Sequence, residues 1–354
     1  MARADDVTVL TGATGFVGSL VLERLLARGA PVAALVRADD DAGARRRLEQ
    51  LALRTWGDAD VVADVEVLAA DVERARLGLA PEAYDALAAR AGAVVHCAAS
   101  VRFDLALDNA HAINVDGTER MVELAEHART RGAAGRFVHV STAYVHGRAR
   151  GLAREAGPVE EPAFRNTYER TKHRAERVVE RLEGAAIVRP SIVVGDSRTG
   201  WTSSFNVVYV PLRALVTGVL EVVPAPADAI LDLVPVDHVV DAVCGLLDDP
   251  SIAGVVQAVS GRLAPTMEEF ARLAYAHAGR PMTPCVPAAA EQIGIYAPYV
   301  DVWARFEFAR AAGLGVRPVP IEQLVPLLLD HAAAAAWGRR HVLRPSPLLS
   351  STAV

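Results

Sequence analysis

The sequence predicts an α/β protein, a doubly wound parallel sheet with a smaller, mostly helical C-terminal lobe. Three observations predict it. Short apolar runs alternate with helical stretches through residue 190. A glycine-rich turn, "TGATGFVG" (11–18), directly follows the first run. After 190 the rhythm breaks, and from 262 the chain is helical and punctuated by proline.

The runs are "VTVL" (7–10), "PVAALV" (31–36), "VEVLAA" (65–70), "AVVHCAA" (93–99), "RFVHVS" (136–141) and "AAIVRP" (185–190). They are largely apolar throughout rather than alternating, as parallel strands covered on both faces are. Between them, "SLVLERLLARG" (19–29) and "TERMVELAEHARTRG" (118–132) carry apolar residues at helical spacing and close on glycine. Repeated strand–helix units imply a parallel sheet with right-handed crossovers. "GDSRTGWTSSFN" (195–206) reads as a loop. The stretch 222–249 reads as a short strand and then a helix. "PTMEEFARLAYAHAG" (265–279) opens on a Pro-Thr helix-start signal. The resulting division is a dinucleotide-binding core over 1–195 and a substrate lobe over 196–343, with sheet elements returning near 230–260. A disordered tail follows over 344–354. The lobe is expected to lie across the carboxyl ends of the strands, where ligands of open α/β sheets bind.

Composition narrows the function. The 354 residues are 52% apolar and 23% charged, enough for one large core. A net charge of −6 with no basic block argues against nucleic acid as a partner. Cys97, Cys244 and Cys285 are too few and too scattered for a disulfide framework or a zinc site, and no cluster has metal-ligand spacing. They fit a reducing cytoplasm. No signal-peptide core and no apolar run long enough for a membrane span is expected.

In the glycine turn, Gly12 permits a tight bend, Gly15 lets backbone approach a pyrophosphate, and Gly18 lets helix and strand pack closely. Thr14, Phe16 and Val17 lie in the same loop, where free N–H groups of a starting helix face an anion. Strand before and helix after make this a Rossmann-type dinucleotide site. At the end of the second strand stands Arg37, suited to the 2′-phosphate of NADP. Arg47 is either a second clamp or a solvated helix residue. Asp39, Asp40 and Asp41 compete as acids that would favour NAD, but Arg37 lies closest to the strand end, and NADPH is the expected cofactor. Asp71, followed by Val72, either meets the adenine amino group or caps a turn. Tyr168 and Lys172 in "YERTK" share a helix face at i, i+4, which by itself fits a surface pair or a tuned proton donor.

Taken together, "TGATGFVG", "NVDGT" (114–118), "VSTAYVHG" (140–147) and "YERTK" (168–172) resemble the extended short-chain dehydrogenase/reductases over roughly residues 7–250. "HCAASVRFD" (96–104), "VRPSIVVGDSRTGW" (188–201) and "DLVPVDHVVDA" (232–242) are similar to the male-sterility-like branch of fatty acyl-CoA reductases and thioester reductases. That resemblance implies an NADPH-dependent reductase of an acyl thioester to the aldehyde, or on to the alcohol. It implies Tyr168 and Lys172 as catalytic, with Thr142 (Ser141 the alternative) hydrogen-bonding the reacting oxygen. A nearby ammonium is expected to lower the phenol's pKa. Ala98, Ala99, Pro190 and Ser191 are implied at the nicotinamide side, and Lys172 at its ribose. Asn114 either holds backbone or water at the site or caps a helix. His96 and Cys97 read as packed strand residues, and Asp237 and His238 as organisers of a helix start.

Arg102 either meets a phosphate of CoA or phosphopantetheine or forms a surface salt bridge. Phe205, Val208, Tyr209 and Leu212 are expected to line an apolar acyl site, or else to close the core. The carrier and adenylation modules of many thioester reductases, and the membrane-associated C-terminal region of eukaryotic acyl-CoA reductases, are not in the sequence. The acyl group is therefore expected on CoA or on a separate carrier protein. Homodimers through helices flanking the Tyr-Lys element are common in the superfamily. Two alternatives compete: a ketone or hydroxysteroid-type dehydrogenase, and a non-enzymatic dinucleotide sensor. The retained Tyr168, Lys172 and Thr142 argue against the sensor.

Overall fold

A computed structural model describes residues 6–156, 160–346 and 348–349. The first half alternates as expected: β1 (Val7–Thr11), α1 (Phe16–Ala27), β2 (Val32–Val36), α2 (Asp41–Trp56), β3 (Glu66–Ala69), α3 (Pro81–Arg90) and β4 (Ala91–His96). Next, α4 (Leu107–His111) passes through a π-helical turn (Ala112–Asp116) into α5 (Gly117–Thr130). There follow β5 (Arg136–Val140), β6 (Arg150–Ala153), α6 (Thr167–Val179), β7 (Ala186–Pro190) and β8 (Ile192–Val194). The rest comprises α7 (Tyr209–Thr217), β9 (Leu233–Pro235), α8 (Val236–Asp248), β10 (Gly254–Ala258), α9 (Met267–His277), β11 (Trp303–Phe306), α10 (Arg310–Gly313) and α11 (Ile321–Ala334). A kinked helical segment, Pro287–Val300, broken at Gly294, lies between α9 and β11.

Seven strands form one sheet in the order β10-β7-β5-β4-β1-β2-β3, and every pairing is parallel. β2 and β7 are buried along their whole length, which is the reason β2 is unbroken apolar sequence and the one charge of β7, Arg189, is paired with Glu176 at 2.6 Å. One apolar core lies under α1, α2 and α8, and a second under α3, α5 and α6. The strand order reverses between β1 and β4, so the crevice for a ligand opens at their carboxyl ends. A third core holds the later elements together, with α7, α9 and α11 around the pairs β8–β9 and β6–β11.

Local chemistry sets the helix starts. α1 begins three residues earlier than the apolar pattern predicts, because Gly15 is its N-cap. Asp40 caps α2 by accepting from Gly43 N at 2.6 Å. Thr266 and Glu269 form a reciprocal capping box on α9. Asp237 accepts from Ser197 N at 2.9 Å and so fixes the loop after β8 to the start of α8.

The tail needs a correction. Arg344, its first residue, is anchored, with Nε on Glu23 at 2.9 Å and Nη1 on Asp196 at 3.0 Å. Its guanidinium lies over Trp201, and Leu349 packs against the core. A bidentate cation between two buried carboxylates outweighs the weak local pattern. Residues 347 and 350–354 lie outside the described residues. No described helix is long and apolar enough to cross a membrane.

Candidate active site

The glycine loop is shaped by close backbone approach. Gly12 has φ +71°, and a Cβ there would stand 2.7 Å from Ala98 N. A Cβ on Gly18 would stand 2.2 Å from Gly12 O. Gly15 caps α1 without any side-chain acceptor, so the first N–H groups of the helix remain free for an anion. The loop opens into a cleft of about 610 Å³, lined by Gly12, Gly15, Phe16, Val17, Gly18, Ala99, Arg102, Ser141, Thr142, Tyr168, Lys172, Pro190 and Ser191 among others. A glycine cradle with unpaired helix N–H groups and a cleft of this size fits a dinucleotide.

Tyr168 and Lys172 lie on α6, which Asn166 starts by accepting from Glu169 N at 3.0 Å. Thr142 sits at the carboxyl end of β5 and is hydrogen-bonded to Tyr168. Its hydroxyl also faces Pro190 O at 3.4 Å. Burial raises the phenol's pKa, the Thr142 bond opposes that, and the Glu169 charge adds to it. This corrects the expectation that lysine lowers it. The Lys172 ammonium is occupied elsewhere, donating to Val140 O at 2.7 Å and to His139 Nε2 at 3.0 Å.

Burial brings the Lys172 pKa down from 10.5 to about 8, against the charges of Glu176 and Cys97. The sign of the consequence is definite. Between about pH 8 and 10.5 the unfolded chain binds a proton there that the folded chain does not, so stability rises with pH in that window. Denaturant midpoints measured against pH are expected to show this rise, and Lys172→Met to flatten it. Identical curves would place the lysine in water rather than in the core.

Asn114 lies on the π-helical turn, a feature frequent at functional sites. Its Oδ1 accepts from Ser100 N at 2.8 Å, and its Nδ2 donates to Ser100 O and to Thr171 Oγ1. It therefore ties the loop after β4 to α6 and does not cap a helix. His96 is packed between Thr11 at 2.8 Å and Thr118 at 3.2 Å, and burial brings its pKa down to about 3. Ala98 N donates to Thr11 Oγ1.

At the ends of β2 and β3, the exposed Arg37 is only 3.7 Å from Glu73. Arg47 donates to Arg37 O, so it braces the turn. Asp71 accepts from Glu73 N at 3.0 Å, which is the turn-capping role. Val72 O accepts from Arg120. Arg102 pairs with Asp104 at 3.2 Å on the cleft rim.

A second cavity, of about 50 Å³, is apolar and includes Val208, Leu212, Leu215, Leu231 and Phe270 in its lining. It shares Ile192, Val207, Tyr296 and Tyr299 with the large cleft. Two of the expected acyl-site residues do not reach it. Phe205 stacks on His331 with ring centroids 6.0 Å apart. The Tyr209 hydroxyl accepts from Gly195 N at 3.0 Å. Both close the lobe core, because their faces of the chain point toward α11 and the loop after β8. Sequence reasoning missed Tyr299, Tyr296 and Ile192, which no local motif marks. It also missed His139, and one further signal: Lys172 is the sole lysine among 37 Lys and Arg residues. A chain that otherwise uses only guanidinium keeps an amine where a titratable, compact cation is needed.

Residues 10–243 match the family model described as "Male sterility protein". Fatty acyl-CoA reductase 1 of Homo sapiens is 31% identical over 275 residues, 66% of this chain and 52% of that protein. Fatty acyl-CoA reductase wat of Drosophila melanogaster is 30% identical over 284 residues, 68% of this chain and 54% of that protein. The chain thus spans about half the length of the curated relatives it matches. In fold it is similar to the terminal R domain from the myxalamid PKS-NRPS biosynthetic pathway (TM-score 0.81, 24% identity, 95% of this chain and 93% of that one). It is also similar to a thiolation-reductase di-domain from an archaeal non-ribosomal peptide synthetase (TM-score 0.74, 17% identity, 94% and 76%).

Proposed function

The chain belongs to the Male sterility protein family, and on that premise we propose that it reduces an acyl thioester to an aldehyde. The cofactor is a nicotinamide dinucleotide, and NADPH is the form proposed. The observation that carries the reading is a single cleft holding the glycine loop, Thr142, Tyr168 and Lys172, with an apolar cavity sharing its wall.

When bound, the reduced nicotinamide supplies a hydride to the thioester carbonyl carbon. The chain's own groups handle the oxygen. Thr142 and the Tyr168 phenol donate hydrogen bonds to it as charge develops. The raised pKa keeps the phenol protonated at neutral pH, so it is a donor, and it delivers its proton to the oxygen. Lys172, held by Val140 O and His139, keeps one N–H free for the cofactor's ribose. The resulting hemithioacetal collapses to aldehyde and thiol. Arg102 is paired with Asp104 at 3.2 Å on the rim, the surface salt bridge that competes with a role toward a phosphate of CoA or phosphopantetheine. The narrowness of the apolar cavity disfavours a fused-ring ketone. The test is NADPH oxidation against acyl-CoA, acyl-carrier and ketone panels, with products identified by mass. Aldehyde from thioesters supports the reading, and turnover of ketones alone overturns it.

Arg37 carries the preference for NADPH. Asp40 and Asp41 each spend one carboxylate oxygen on a backbone N–H, of Gly43 at 2.6 Å and Ala69 at 2.7 Å, which supports Arg37 over them as the reader of the ribose. Arg37→Asp is expected to reduce the NADPH-over-NADH preference at least tenfold, about 1.4 kcal/mol. Unchanged selectivity would mean that the phosphate is read elsewhere.

A further inference from the structure

We infer that Tyr299 decides which acyl chains enter, its ring closing a neck that passes an unbranched chain and refuses a ring or a branch. The inference rests on the acyl-thioester reading above and deepens it. Tyr299 is buried and lines both the dinucleotide cleft and the apolar cavity. Among the described residues, Ile192, Val207 and Tyr296 share that position. A chain whose carbonyl lies at Thr142 and Tyr168 must pass these four side chains to reach the cavity behind them.

The ring is held on several sides. Phe103 packs on it at 4.8 Å between centroids, and Tyr144 meets it edge-on at 5.0 Å. Its hydroxyl accepts from Asn166 Nδ2 at 2.9 Å and lies near the Glu169 carboxylate. Both residues belong to the start of α6, beside Tyr168. A ring fixed to the helix that carries the proton donor cannot swing aside without disturbing that helix. The neck is therefore rigid, and it discriminates by shape. The cavity behind it is also small. Its 50 Å³ is about a third of the roughly 150 Å³ that accepts a benzene ring in an apolar core. A few methylenes fit, and an aromatic ring does not.

The experiment compares butanoyl-CoA with phenylacetyl-CoA in wild type, Tyr299→Ala, Tyr299→Phe and Ile192→Ala. Steady-state kcat/KM is measured together with calorimetric binding of each thioester without dinucleotide. Tyr299→Ala is expected to raise the phenylacetyl-to-butanoyl ratio at least about tenfold in both readouts, within the range that one pocket contact supplies. Tyr299→Phe keeps the ring and should leave the ratio within about twofold of wild type. Ile192→Ala widens the neck from the strand side and should move the ratio the same way as Tyr299→Ala. It also keeps the test decisive where Tyr299→Ala does not fold. Ratios unchanged in every soluble widened variant overturn the inference, as does a Tyr299→Phe shift as large as that of the widened variants. A wild type that reduces no thioester but reduces ketones overturns the thioester reading as well, which separates the two failures.

Discussion

Tyr168→Phe is expected to lower turnover by about 10²- to 10⁴-fold, the range for one general acid, while dinucleotide affinity stays near that of the wild type. The substitution removes the hydroxyl and keeps the ring, which packs against Phe103 at 5.9 Å. An interaction made mainly in the transition state lowers kcat rather than binding. Lys172→Ala should differ by weakening dinucleotide binding too, because the proposed role of its ammonium is to hold the ribose. The thioester adds a distinction between steps. Thiolate leaves readily, so collapse of the hemithioacetal needs little assistance. A second reduction, aldehyde to alcohol, must protonate an alkoxide and should suffer more. Following both products from one acyl thioester with purified wild type and variant makes the measurement. Full activity of Tyr168→Phe in every carbonyl reduction would return α6 to an ordinary charged helix.

Gly12→Ala is expected to abolish dinucleotide binding at ordinary concentrations and to destabilise the fold. Two costs combine. A left-handed backbone conformation costs a residue with a Cβ roughly 1–2 kcal/mol. The methyl group would also stand 2.7 Å from Ala98 N and 2.8 Å from Cys97 C, both backbone atoms that cannot rotate away. Overpacking of this kind costs about 1–3 kcal/mol. Relief requires the loop to move off β4, which displaces the free N–H groups at the start of α1, the proposed pyrophosphate site. Denaturant unfolding and a fluorescence titration with NADPH read the two effects separately. A variant that binds NADPH within about threefold of wild type, a difference under 1 kcal/mol, would show that this turn does not carry the phosphate site.

The sheet was legible because double-sided burial leaves a plain mark, largely apolar runs such as those of β2 and β7. Gly12 and Gly18 were legible because backbone geometry restricted the residue type. The spacing of Tyr168 and Lys172 put both on α6, but the partners of the lysine, Val140 and His139, come from β5, more than thirty residues away. The acyl side was harder. Phe205, Val208, Tyr209 and Leu212 are alike in hydrophobicity, and the lobe's packing alone decides that Val208 and Leu212 face the cavity while Phe205 meets His331. Tyr299 lies 133 residues from Asn166, its hydrogen-bond partner, and nothing in its local sequence marks the pairing. Arg344 was read as tail because its partners, Glu23 and Asp196, lie on distant elements.

The single lysine has a consequence for chemical durability. Acyl thioesters are acylating agents, and an unprotonated lysine amine is what they attack. Every other side-chain cation of this chain that is charged at neutral pH is a guanidinium, which stays protonated and does not act as a nucleophile. The one side-chain amine, Lys172, is 1% exposed, held between α6 and β5 in the wall of the cleft. On the proposed thioester reading, the outer side-chain surface of the protein thus offers no amine to be acylated.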